Sequence, residues 1–147
     1  MWNNFNNKIM RKIEGNIVDV INREIFQGEV ILNHGRIEDI VRKDTKSDVY
    51  ILPGLIDSHI HIESTMMIPS EFAKVAVKNG TVAVVCDPHE IANIMGEEGI
   101  KFMIDNASST PLKTYCCVPS CVPATDFETS GAKLGPEEID NIFSKYN

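Results

Sequence analysis

The chain has no membrane span, no basic tract and no phosphate loop, and each absence excludes a class of function. No apolar stretch in the 147 residues approaches the roughly 20 needed to cross a bilayer. The formal net charge is -7 and there is no long basic run, so the electrostatic footprint of a nucleic-acid partner is missing. Neither a P-loop nor a G-x-G-x-x-G is present. Met1 to Asn7 is polar and Asn-rich, unlike a secretory signal. The four cysteines, Cys86, Cys116, Cys117 and Cys121, lie in or beside apolar runs and are expected to be reduced. The expectation is a cytoplasmic protein with no membrane and no nucleic-acid partner. Histidine is scarce too, and none follows His89.

The most informative stretch is Pro53-Gly54-Leu55-Ile56-Asp57-Ser58-His59-Ile60-His61-Ile62-Glu63. It follows the apolar run Val49-Tyr50-Ile51-Leu52, which reads as a strand buried on both faces. In a strand, residues i and i+2 share a face, so His59 and His61 point the same way. Two converging imidazoles form a clamp for a borderline divalent metal. Asp57 shares their facing and is expected as an acceptor behind the ligands. The alternative is a strand end with two exposed histidines and no ligand.

The rest of the chain divides by pattern. Over residues 1–15, Trp2, Phe5, Ile9, Met10 and Ile13 fall at helical spacing, which predicts an N-terminal helix. Residues 16–52 hold β-prone runs separated by Asn22-Arg23 and Asn33-His34-Gly35, which predicts a small β segment of sandwich type, with His34 as a turn residue. Residues 53–147 alternate. Pro69-Ser70 opens a helix that Asn79-Gly80 closes. Thr81 to Cys86 reads as a strand, a helical pattern broken at Gly96 and Gly99 follows, Leu112 to Val118 reads as a strand, and Gly135-Pro136 opens a last helix. Alternating strands and helices predict a parallel α/β sheet, whose function gathers at the C-terminal strand ends. The polar residues fall there: His59, His61 and Glu63; then Asp87, His89 and Glu90; then Ser120, Cys121, Thr125, Asp126 and Glu128.

Two motifs come close and fail. His89-Glu90-Ile91-Ala92-Asn93 resembles H-E-x-x-H, but Asn93 stands where the second imidazole must be. His61-Ile62-Glu63 matches the H-x-E of zinc nucleobase deaminases, but the Cys116-Cys117-Val118-Pro119-Ser120-Cys121 stretch has no C-x-x-C.

The first motif, a small β region followed by P-G-L-I-D-x-H-x-H, resembles the amidohydrolase superfamily. Three stretches in order resemble its adenine deaminase family: Pro53 to Met66, Gly80-Thr81 leading to Asp87-Pro88-His89-Glu90-Ile91-Ala92-Asn93, and Val118 to Gly131. The resemblance spans about residues 14–147. It implies an α/β fold of (β/α)8 TIM-barrel type and hydrolysis of adenine at a manganese or iron centre, binuclear in the family. It places His59 and His61 as metal ligands, Asp57 and Asp87 behind them, and Glu63, His89 and Glu90 as catalytic candidates. Such a barrel needs about 250 residues, so residues 54–147 are expected to form only its first three βα units, an incomplete barrel. The family's later ligands, two histidines among them, have no counterpart here. The expectation is an N-terminal piece, inactive alone, that pairs with a chain carrying the rest of the barrel or forms a homo-oligomer, with the barrel-facing Val82 and Val84 left uncovered. A non-catalytic subunit, or another amidohydrolase of dihydroorotase or imidazolonepropionase type, is the alternative.

Overall fold

The computed structural model describes residues 10–146, which form a mixed α/β protein. The chain divides into two compact units, with Pro53 closing the first and Gly54 opening the second.

The first unit is built from β1 (Arg11–Asp19), β2 (Glu24–Asn33), β3 (Arg36–Arg42) and the short β4 (Tyr50–Ile51). They form one four-stranded sheet in the order β3-β2-β1-β4. The first three strands are an antiparallel meander, and β4 joins β1 in parallel. The turn after β1 is held by Asp19, whose Oδ1 accepts the backbone N–H of Ile21 at 3.0 Å and of Asn22 at 2.9 Å. His34 and Gly35, at φ 49° and 75°, make the next turn. Two consecutive left-handed residues are the hairpin geometry that matches strand twist, so His34 is indeed a turn residue. Gly15 and Gly28 face each other across the ladder. A Cβ on Gly28 would lie 2.7 Å from both the Val41 carbonyl and Ile17 Cδ1, so only glycine fits there. Ile17 and Val30 are buried, as is Glu29, which pairs with Lys12 at 2.7 Å and Lys43 at 3.6 Å.

Two expectations change in this unit. Of the helix expected over residues 1–15, residues 1–9 lie outside the described residues, and residues 11–15 are strand instead: every residue from Arg11 to Asp19 has a register partner in β2. Ile13, Gly15 and Ile17 share a strand face, and the backbone ladder outweighs a few apolar residues at helical spacing. The run Val49 to Leu52 is not a strand buried on both faces: Val49, Tyr50 and Leu52 are exposed. Its central residues form β4, a separate strand against β1.

The second unit alternates as expected. It contains β5 (Leu55–Ile60), a 3-10 turn (Ile62–Thr65), α1 (Pro69–Lys78), β6 (Thr81–Cys86), α2 (His89–Met95), α3 (Glu97–Ser108), β7 (Lys113–Cys116) and α4 (Pro136–Tyr146). The three strands are parallel, in the order β5-β6-β7. Pro69 starts α1 where a missing N–H costs nothing, and Gly80 at φ 92° ends the following turn. Gly96, at φ 60°, breaks α2 from α3.

The core of this unit has two parts. Ile62, Ala73, Ala76, Val84, Cys86, Met103 and Leu112 form one cluster beneath α1 and α3. Ala92, Ile100, Val122, Leu134 and Ile142 form the other, where the long loop after β7 meets the helices. Val84 is therefore not on an uncovered barrel face. It is fully buried among helix residues, whereas Val82, at the entry of the same strand, is 44% exposed. β5 is an edge strand of this sheet: Leu55 and Ile56 are 56% and 66% exposed.

Candidate metal centre

The parallel sheet brings the ends of β5 and β6 side by side. Asp87, one residue past β6, donates its backbone N–H to the Ile60 carbonyl at 2.9 Å, which stitches the two strand ends together. His59 is the penultimate residue of β5 and His61 the first residue beyond it. Period-two spacing points both rings the same way, and their Nε2 atoms stand 3.3 Å apart with the rings edge to face. Metal-donor atoms of His59, His61 and Asp87 all lie within 4.8 Å of one another.

The surroundings make this group chemically specific. Asp87 Oδ1 is buried and has no hydrogen-bond partner. A buried carboxylate oxygen without a partner is costly unless a cation or proton meets it. Two imidazole nitrogens and a carboxylate oxygen are the donor types that iron, manganese and zinc accept. The residues present therefore fit a divalent metal. Asp87, expected behind the ligands, has a donor atom within this group.

The other expected residues take distinct places. Asp57 Oδ1 accepts the backbone N–H of His59 at 3.1 Å, so it braces the strand end rather than an imidazole ring. Glu63 Oε1 accepts the Ile91 backbone N–H at 3.3 Å, and its Oε2 is buried without a partner. His89, the first residue of α2, sets its ring edge-on to His61 with centroids 6.3 Å apart. Glu90 reaches back across the sheet: its Oε2 meets His61 Nδ1 at 2.8 Å, and its Oε1 accepts the Ser64 hydroxyl at 2.5 Å. Partial burial opposes the charge on Glu90, but the hydrogen bonds from Ser64 and His61 outweigh it and hold the carboxyl below its ordinary range. Ser64 carried no role in the sequence reading. It lies 26 residues from Glu90, and no local spacing announces that pair.

Cys86 and Cys116 are register partners on β6 and β7, with sulfurs 3.0 Å apart. The Cys116 contact, and then burial, push the Cys86 thiol far up, so it stays protonated. Burial, with the Asp87 charge next, also raises Cys117. All four cysteines are free thiols: Cys86 is buried and packs as a small apolar group, Cys116 is half-buried, and Cys117 and Cys121 are exposed. The third rim cluster does not join the site: Asp126 pairs with Lys133 at 3.2 Å, and Cys121 and Glu128 are exposed.

The chain is similar to known proteins over most of its length. Over 136 residues, 92% of the chain, it is 54% identical to a Methanosarcina mazei protein named adenine deaminase. It is 55% identical over 131 residues to a Sulfurovum protein of that name, and 48% identical over 134 residues to one from Archaeoglobus fulgidus. The chain spans about a quarter of the length of these relatives, 24% to 25%. Residues 50–144, which include both histidines, Asp87 and all three parallel strands, match the amidohydrolase family, and the chain belongs to that family.

Proposed function

We propose that this chain supplies the first metal-binding edge of an adenine deaminase, which converts adenine and water to hypoxanthine and ammonia. The observation that carries the reading is the convergence of His59, His61 and Asp87 at two adjacent strand ends, in a chain half identical to proteins of that name. In this reading β5, β6 and β7 are the first three strands of a (β/α)8 barrel, and the four-stranded sheet belongs to a small β-sandwich-type segment. Parallel pairing in sequence order and function-bearing residues at the C-terminal strand ends support the barrel.

His59 and His61 present Nε2 and Asp87 presents a carboxylate oxygen. These three residues would hold a divalent ion, manganese or iron in this reading, which would supply Lewis-acid activation of a water for attack at adenine C6. Asp57 keeps the strand end in place through the His59 backbone. Glu63 holds the start of α2 with one oxygen and keeps the other, buried and without a partner, available to accept a proton. His89 stands beside the site as a candidate for contact with the substrate or its leaving amino group. The free thiols suit the reducing cytoplasm, and no helix among the described residues is long and apolar enough to cross a membrane.

Three donors fall short of a complete shell of four to six. The chain on its own therefore holds metal weakly and does not turn adenine over. Activity requires a chain carrying the remaining barrel strands. The test combines metal analysis with an adenine assay. Bound manganese or iron is expected to fall to background in a His59→Ala, His61→Ala variant. Hypoxanthine is expected only when the remaining barrel is supplied, covalently or as a second chain. Undiminished metal in the double variant, or turnover by the chain alone, would overturn the reading.

A further inference from the structure

We propose that Glu90 is a positioning residue that fixes His61 in its Nδ1-protonated tautomer, so that the Nε2 lone pair is presented to the metal before any metal arrives. The inference rests on the metal-centre reading above and assigns Glu90 a role other than proton transfer. Both of its oxygens are already engaged, one by His61 Nδ1 at 2.8 Å and one by the Ser64 hydroxyl at 2.5 Å. An ionised carboxylate only accepts hydrogen bonds, so the proton in its contact with His61 sits on Nδ1. A neutral imidazole carries one N–H, which leaves His61 Nε2 bare.

The local chain holds this arrangement from both sides. Ser64 follows His61 in the 3-10 turn, and its backbone N–H donates to the His61 carbonyl at 3.2 Å. Its side chain then binds the same carboxylate that holds the His61 ring. Glu90 arrives from the other strand unit, on α2, two residues upstream of which the backbone N–H of Asp87 is tied to the Ile60 carbonyl. Glu90 thus links the loop after β5 to the helix after β6 at the ring that must not rotate.

The arrangement also defines His59. Two bare Nε2 lone pairs at 3.3 Å repel each other. Without metal, His59 therefore carries its proton on Nε2 and donates it to His61 Nε2. Coordination through His59 Nε2 would require that proton to sit on His59 Nδ1 instead, and would leave the His61 tautomer unchanged.

The experiment reads the ring nitrogens directly. Long-range nitrogen–proton spectra of the 15N-labelled 147-residue chain are recorded at alkaline pH, where a free imidazole is neutral, without metal and with Zn2+. The expected spectrum has His61 protonated on Nδ1 in both states and His59 changing tautomer on Zn2+ addition. Glu90→Gln keeps a carbonyl acceptor and should preserve the His61 tautomer, with Mn2+ affinity within a few-fold of the wild type. Glu90→Ala should scramble the tautomer and weaken Mn2+ about 10- to 100-fold in chelator competition. Ser64→Ala, with the carboxylate intact, should give a smaller loss in the same direction. Protonation of His61 on Nε2 in the metal-free chain overturns the proposal. So does an equal loss for Gln and Ala, which would mark Glu90 as a ligand or proton carrier. The two readings separate cleanly: if the His59→Ala, His61→Ala variant binds Mn2+ like the wild type, the metal centre is wrong, while the metal-free spectrum still decides the Glu90 contact.

Discussion

At the scale of single residues, the sequence is most readable where chemistry depends on neighbours in the chain. The common facing of His59 and His61 follows from a spacing of two in a strand, and their Nε2 atoms do converge. Asp87 and Glu90, which complete the group, lie 26 and 29 residues beyond His61, Ser64 meets Glu90 across 26 residues, and no periodicity encodes these pairings. Asp57 illustrates the limit. Its side chain was expected to serve an imidazole, yet an aspartate two residues before a backbone N–H finds that donor first.

Glu29 is a residue whose burial the sequence does not announce. Its hydrogen bond to Lys12 lowers its carboxyl pKa, burial opposes this, and the charges of Lys12 and Lys43 lower it further. A depressed carboxyl pKa contributes stability above the ordinary value of 4.5, and that stability is lost as the pH falls through the lower folded value. The stability of the wild-type chain, followed by strand circular dichroism, should fall as the solution is acidified below that ordinary value. Glu29→Gln should flatten this part of the profile. An identical profile for wild type and variant would show that the pair carries none of the acid sensitivity.

At the scale of elements, local signals succeed where they are unopposed. The Pro69 start and Asn79-Gly80 stop of α1, the apolar run of β6 and the Pro136 start of α4 all stand as the sequence predicts. They fail where a distant partner decides. The helical spacing around Ile13 loses to a complete ladder with β2, and Val49 to Leu52 is divided because β1 offers Tyr50 and Ile51 an edge. The burial of Val84 departs from the expected uncovered face for a related reason. Alternation says which residues share a face but not which face the helices cover, and α1 and α3 cover the one that carries Val84.

The same sheet supports an element-level prediction. A methyl group at Gly28 would press on the Val41 carbonyl and on Ile17 Cδ1 at 2.7 Å, and a backbone carbonyl has little room to move. Gly28→Ala should destabilise the first unit by about 1–3 kcal/mol, the usual cost of overpacking. Denaturant unfolding followed through the strand signal reads this directly. Gly35→Ala makes a useful contrast: it meets open space, so any loss there comes from the left-handed φ of 75° alone.

At the scale of the whole molecule, the second unit has two sheet edges and a long apolar rim. β5 and β7 each pair with only one strand among the described residues. Beside β7 lies a groove of about 560 Å³, lined by Ile100, Ile104, Leu112, Tyr115, Ile142 and Phe143 among others. Unpaired parallel edges next to apolar surface are templates for association. The proposed function gives that surface a specific occupant, the next strand–helix unit of the barrel. In its absence, copies of the chain are expected to cover the edge for one another. Light scattering coupled to size exclusion should therefore find oligomers at micromolar concentration, growing as the concentration rises. Adding a chain that carries the remaining barrel units should replace them with one defined complex and raise metal occupancy at His59 and His61 at the same time. A monodisperse monomer that ignores such a partner would mean that β7 is a finished edge. The three parallel strands would then be a closed design in their own right, and the incomplete-barrel reading would have to be given up.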